Sequence, residues 1–285
     1  MGKKTKIQYV SSTWNPWVGC TKISPGCTHC YASTQDTSWG NDRWGPGKPR
    51  EFTSDAYWRK PLAWQAEAKR TGKPHSVFCA SLADVFDAEA PEGGLARVWN
   101  LIEACPDLTW LLLTKRPERI TASLPPNWGK KGWKHVRLGA TVETQKMADL
   151  RIPELLNVPG TDVLRYLSME PLLEEIDIEY PKTLYPDGPP GCCNGFECGC
   201  YGRPTEPPLW WGGFDKSIGW IIVGAESGEG ARPMNEDWVR RLRDQASSAK
   251  IPFFYKQRLD PTGEKVSLPE LDGRTWAEFP DSRGV

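Results

Sequence analysis

The chain has 285 residues, 39% of them hydrophobic, and its 36 lysines and arginines balance 36 aspartates and glutamates. That length serves one large domain or two small ones with a sizeable core. The zero net charge excludes the basic excess of a nucleic-acid coat or a membrane-surface protein. No apolar run is long enough to cross a bilayer. The opening MGKKTKIQYV carries no apolar signal core, so a cytoplasmic protein without a membrane partner is expected. Local basic segments, Lys3, Lys4 and Lys6 at the start and Lys130, Lys131, Lys134 and Arg137 later, are read as solvated faces, with a basic groove as the alternative.

In chain order, a short strand near 13–19 feeds the segment VGCTKISPGCTHCYA, where Cys20, Cys27 and Cys30 stand in C-x6-C-x2-C spacing. A helix is expected over 54–70. Short apolar runs rich in β-branched and aromatic residues follow at 76–81, 109–114, 135–141, 163–168, 219–224 and 252–256. Near-continuous apolar runs suit strands buried on both faces. Helical patterns fill most of the gaps: 91–106, 144–158 with a kink at Pro153, and 235–250 with Asn235 as N-cap. Strands alternating with helices read as βα units. The expected fold is therefore α/β, a partial (βα)6-type parallel barrel forming one domain over 1–285, with a doubly wound open sheet as the alternative. Two segments break the rhythm. Residues 180–217 form a Cys-, Pro- and Gly-rich insertion, and the polar extension 258–285 is expected to pack over an end of the barrel.

Seven of the nine cysteines fall in two clusters, while Cys79 and Cys105 sit in apolar segments as packing residues. Inside a cell, clustered cysteines point to metal ligation more than to disulfides. Three thiolates can hold three irons of a [4Fe-4S] cluster and leave the fourth open, where the amino and carboxylate groups of S-adenosylmethionine fit. The alternative is zinc, with His29 or a distant cysteine completing the set. Cys192, Cys193, Cys198 and Cys200 in the insertion suit a zinc staple or a second cluster, or bind no metal. The 15 tryptophans are read as core and loop filling, or as surfaces for stacking a base.

In a βα fold, chemistry gathers at the carboxyl ends of the strands. The polar residues there are Ser81 and Asp84, Lys115 and Arg116, Thr141 and Glu143, Glu170, Glu226 and Ser227, and Lys256. Ion pairing at the barrel mouth, such as Lys115 with Glu143, is the alternative use of these groups. Asp84, Asp87 and Glu89 are read as turn residues, with an acid/base pair or a divalent cation site as the alternative.

The cysteine loop before a βα barrel, closing in C-x2-C with Tyr31 next, resembles the radical SAM superfamily, although the first interval is three residues longer than the usual C-x3-C-x2-C. More closely, the chain resembles a family of phage and bacterial radical-SAM-like proteins of largely unassigned function. The stretches that carry the resemblance are TWNPWVGCTKISPGCTHCYA, SLADVFD, LLTKRPERI, RLGATVETQKMADLRIPELL, LRYLSMEPLL, WIIVGAESGEGARPMNEDWVRRLRDQ, PFFYKQ and LDGRTWAEFP, in order along nearly the whole chain. The resemblance implies an iron–sulfur loop, a reducing partner of flavodoxin or ferredoxin type, and cofactor contacts from Ser81, Lys115, Arg116, Thr141, Glu143, Glu170, Glu226 and Ser227. Lys115 or Arg116 would take the SAM carboxylate, Glu143 or Glu170 the ribose, and the Gly-rich GAESGEG the adenine or a phosphate. The phage link implies a modified nucleoside in DNA as substrate, with rearrangement of an amino-acid-decorated thymine as one form and a host-cell cytoplasmic location. The competing function is a zinc-stapled module that binds nucleic acid or protein without catalysis.

Overall fold

The structure is a computed structural model that describes residues 5–178, 218–228 and 230–280. The Cys-rich insertion, with Cys192, Cys193, Cys198 and Cys200, lies outside the described residues. The chain begins with β1 (Ser12–Thr13) and β2 (Trp17–Val18), and the cysteine loop then leads into α1 (Tyr31–Ser38). β3 (Glu51–Phe52) pairs with β2 in a small separate sheet. The single helix expected over 54–70 divides into α2 (Asp55–Trp58) and α3 (Lys60–Thr71). Pro61 at the start of α3 explains the division, because proline is welcome in a first helical turn and costly further in.

The six expected strands all form: β4 (His75–Cys79), β5 (Leu108–Thr114), β6 (Val136–Thr141), β7 (Leu164–Met169), β8 (Ile218–Gly224) and β9 (Phe253–Leu259). Between them lie α4 (Gly94–Glu103), α5 (Gln145–Asn157) and α6 (Glu236–Ser248). The Thr144 hydroxyl caps α5 at Met147 N–H, and the Asn235 side chain caps α6 at Asp237 N–H. β10 (Lys265–Ser267) and the hairpin of β11 (Glu270–Leu271) and β12 (Arg274–Thr275) come from the polar extension.

The main sheet has the order β1-β4-β5-β6-β7-β8-β9-β10, parallel from β1 to β9 and antiparallel at β10. Spatial order follows chain order without a reversal. A doubly wound sheet needs such a reversal, so that alternative does not apply. The result is a mixed α/β fold whose eight strands curl into a mostly parallel half-barrel. Among the described residues, β1 and β10 form no ladder with one another, and no helix is long and apolar enough to cross a membrane.

Strand alternation sorts side chains to two faces. Val77, Trp110, Leu138, Leu167, Ile221 and Phe253 join the large core under the helices. Phe78, Leu111, Tyr166, Trp220 and Phe254 point the other way and pack around Tyr9 from the N-terminal segment, filling the concave side with aromatic rings. The extension adds to this plug. Phe279 lies 5.7 Å from Trp220, and Glu278 O accepts the Trp220 indole N–H at 2.9 Å. It does more than pack over an end, since Tyr255 N–H bonds Trp276 O and Glu278 N–H bonds Phe253 O alongside β9. Trp14, Trp17, Trp110 and Trp220 are fully buried, so for them the packing role holds.

One glycine on β6 is required by this plug. A Cβ at Gly139 would lie 2.3 Å from the Tyr166 ring. Gly139→Ala is therefore expected to destabilise the fold by about 1–3 kcal/mol through overpacking, read as a lower urea midpoint at an unchanged slope. Truncating the ring in a Gly139→Ala/Tyr166→Leu double variant should recover part of that loss.

Candidate functional site

The carboxyl ends of the strands open onto a cavity of about 820 Å³. Cys20, Cys27 and Cys30 are half-buried and all three line it. So do Ser81, Lys115, Arg116, Thr141, Glu170, Glu226 and Ser227, seven of the eight residues expected to face a cofactor. The other two described cysteines, Cys79 and Cys105, are buried in the core as expected.

The cysteine loop contributes few buried apolar side chains of its own and is held by polar contacts from the strand ends. Its entry lies alongside the segment after β4: Gly19 N–H bonds Leu82 O at 3.0 Å, and the Asn15 side chain accepts from Leu82 N–H at 2.8 Å. Gly19 has a φ of 121°, and a Cβ there would meet Arg43 O at 2.7 Å, so only glycine fits.

Three carboxylate–guanidinium pairs, each with a buried carboxylate, then fasten the loop at three points around the sheet. Near β4 and β5, Asp84 pairs with Arg116 at 3.0 Å, and Arg116 donates to Thr21 O at 2.9 Å and to Cys20 Sγ at 3.7 Å. After β6, Glu143 is fully buried, pairs with Arg151 at 2.8 Å, and accepts Gly26 N–H at 3.1 Å. After β8, Glu226 pairs with Arg232 and accepts from or pairs with His29 Nδ1 at 3.0 Å, while Arg232 also donates to Pro25 O at 2.9 Å. A fourth arginine, Arg50, is buried between Asp87 at 3.0 Å and Glu89 at 2.7 Å and donates to Thr21 Oγ1.

Several sequence expectations change role in this arrangement. Glu143 does not line the cavity. Both its oxygens are spent on Gly26 and Arg151, so it supports the loop from behind instead of facing a ribose. Its partner is Arg151, not Lys115. Arg116 is committed to Asp84 and the cysteine loop, which leaves Lys115 as the freer of the two cations expected at a carboxylate. Glu226 is similarly saturated by Arg232 and His29. Glu170 lies in the cavity but is paired with Lys256 at 2.7 Å. Asp84 behaves as a turn residue, accepting Phe86 N–H and Lys115 N–H, and adds the ion pair to Arg116. Lys130, Lys131 and Lys134 precede β6, at the end of the sheet away from the cavity.

The reading of strand ends missed Ser168. Its hydroxyl and that of Thr141 occupy paired positions on β7 and β6, line the cavity, are each 1% exposed and have no hydrogen-bond partner among the described residues. Buried hydroxyls normally find partners, so a polar ligand in the cavity would complete them. The signal was available, since Ser168 lies two residues before Glu170 and must share its face. Arg50, Arg151 and Arg232 were missed because their partners are distant in sequence or on other elements.

The electrostatics differ among the three thiols. Burial pushes the Cys20 thiol up to about 12, with the Asp84 carboxylate adding to it and Arg116 opposing. At Cys27 burial also acts upward, but Lys115 and the backbone N–H groups of Ile23 and Ser24 outweigh it and bring the thiol below its ordinary value. Burial likewise acts to raise the Glu226 carboxyl, yet hydrogen bonds from Arg232 and His29 hold it at about 2.

A family model described as a protein of unknown function (DUF5131) matches residues 4–280. The chain belongs to this family. No curated protein and no solved structure matches it. The family's description carries no activity, so the chemistry of this family member has to be argued from the cavity itself.

Among the described residues, no three or more His, Cys, Asp or Glu side chains gather closely enough to hold one metal ion. A tetrahedral zinc site, with Zn–S near 2.3 Å, brings its sulfurs to about 3.8 Å from one another. An iron–sulfur cube takes each thiolate at a different corner and needs no such convergence.

Two outcomes follow. In the metal-free chain Cys27 should be alkylated by iodoacetamide well before Cys20 at pH 8, because reactivity tracks the thiolate fraction; peptide mapping of modified cysteines over time reads the order. Glu143→Ala should cost about 3–5 kcal/mol by stranding buried Arg151 and should speed Cys27 alkylation, whereas Glu143→Leu/Arg151→Met should restore stability but not the slow alkylation.

Proposed function

We propose that this chain is a radical S-adenosylmethionine enzyme with a partial (βα)6-type barrel, in which Cys20, Cys27 and Cys30 hold a [4Fe-4S] cluster. The observation that carries the reading is the donor set: among the described residues three thiols, and three only, line one cavity at the carboxyl ends of the strands. When bound, such a cluster supplies an electron, delivered by a flavodoxin- or ferredoxin-type partner, for cleaving S-adenosylmethionine to methionine and a 5′-deoxyadenosyl radical that takes a hydrogen atom from the substrate.

The chain's own residues suit this chemistry. Lys115 favours the thiolate of Cys27, Arg116 opposes the upward push of burial at Cys20, and both would offset an anionic cluster. Lys115 is free to meet a carboxylate, while Thr141 and Ser168 offer unpartnered hydroxyls to a sugar or other polar group. The aromatic plug forms the floor of the cavity on the concave face of the sheet and keeps water from entering there. The substrate we favour is a modified nucleoside, with rearrangement of an amino-acid-decorated thymine as the concrete form, and Glu170 with Lys256 as polar groups able to meet its amino and carboxylate ends.

Anaerobic reconstitution should give a brown protein with about four irons and four sulfides per three-cysteine site. Substituting Cys20→Ala, Cys27→Ala and Cys30→Ala together should abolish both the colour and 5′-deoxyadenosine formation from S-adenosylmethionine under strong reductant. A colourless protein that retains only zinc would overturn the reading in favour of a zinc-stapled binding module.

A further inference from the structure

The charge of the cavity lining is not that of the chain. Six basic side chains line it, Lys6, Lys22, Lys115, Arg116, Lys256 and Lys265, against three carboxylates, Asp84, Glu170 and Glu226. Each of these carboxylates is already ion-paired, with Arg116, Lys256 and Arg232 respectively. Among the described residues, Lys6, Lys22, Lys115 and Lys265 therefore face the cavity with no carboxylate at ion-pair distance. In a chain whose formal net charge is zero, this is a local concentration of positive potential, which attracts and orients anions.

The placement of the four lysines is informative. Lys6 precedes β1 and Lys265 begins β10, so they come from the two edges of the half-barrel. A side-chain contact joins these edges across the open side: the Gln8 amide donates to Ser267 Oγ at 2.9 Å. Lys22 belongs to the cysteine loop, where it donates to Thr28 O, and Lys115 follows β5. The cations thus stand on both sides of the cysteines, where a small anion would need only one side. Aromatic rings accompany them. Tyr31, directly after Cys30, lines the cavity with 49% of its surface exposed, its hydroxyl fixed on Ser81 O at 2.9 Å, and Trp44 lines the same rim. Cations and flat rings lining one cavity suit a phosphate backbone with bases that can stack. An acidic peptide would use the cations but not the rings.

We propose that the substrate reaches this cavity as part of a single-stranded or locally opened nucleic-acid strand, with Lys6 and Lys265 gripping phosphates at the open side and Lys22 doing so beside the cysteine loop. The inference deepens the reading of this cavity as the substrate site and rests on it: the enzyme acts on polymer and not on free nucleoside.

The test is fluorescence anisotropy of the reconstituted full chain with a labelled single strand of about 12 nucleotides, over a series of salt concentrations, beside oligo-glutamate of the same length. The strand is expected to bind, with log affinity falling linearly in log salt. The Lys6→Gln/Lys265→Gln variant, altered at two exposed positions, is expected to keep its thermal midpoint and to lose about 1.4 from the slope, the contribution of two phosphate contacts. Absence of strand binding, an unchanged slope in the variant, or oligo-glutamate binding as tight as the strand would each overturn the proposal. Formation of 5′-deoxyadenosine from S-adenosylmethionine alone is measured separately. Its presence without strand binding sinks only this inference, and its absence with strand binding sinks only the radical reading.

Discussion

Burying charge so that a polar loop can stay in place is the constraint on which the rest of this structure depends. The cysteine loop follows a two-residue strand and has no ladder long enough to hold it. Its fixed shape comes from carboxylates at the strand ends, Asp84, Glu143 and Glu226, each neutralised by an arginine that also reaches the loop backbone or is backed by a residue that does. A buried carboxylate alone would be costly, and a buried guanidinium equally so, but the pair with its remaining donors satisfied is tolerated. Arg50, between Asp87 and Glu89, extends the same device to the segment that follows α1. The thiols then inherit their electrostatics from these supports, since Arg116 and Lys115 are also what surrounds Cys20 and Cys27.

The curled sheet divides the interior into two environments with different tasks. Along the middle of the strands, the concave face is closed by Phe78, Tyr166, Trp220 and Phe254 around Tyr9. At the carboxyl ends, the same face changes character to Thr141, Ser168, Glu170 and Lys256. One step along each strand pair thus separates a dry aromatic floor from a polar cavity. That floor depends on Gly139, whose missing side chain is the space occupied by the Tyr166 ring. Because the sheet does not close on itself among the described residues, the cavity has an open side, and the lysines on its two edges bear on what can enter there.

Much of this was legible in the sequence for a definite reason. The six buried strands read as continuous apolar runs because both their faces are covered, and α6 announced its start through Asn235. The gathering of seven of eight expected residues around one cavity followed from the direction of parallel strands, which puts every strand's polar end on the same side. The extension was less legible. Lys265–Ser267 and the residues from Trp276 onward have no strong period, and they are ordered by pairing with β9 and by packing on Trp220.

Sequence by itself therefore determined the α/β class of the fold, where its strands fall along the chain and the spacing of three cysteines ahead of them, because periodicity and spacing are local properties; the order of the strands in the sheet came from the tertiary structure. That structure alone also decided which polar group does what. Glu143 and Glu226 look like ligand-binding carboxylates in the sequence and become supports for the loop, because Arg151 and Arg232 reach them first. Ser168 looks like one more strand residue and becomes an unpartnered hydroxyl facing the cavity. Whether a charged side chain is spent or available depends on the partners within its reach, and those are brought together only when the chain is folded.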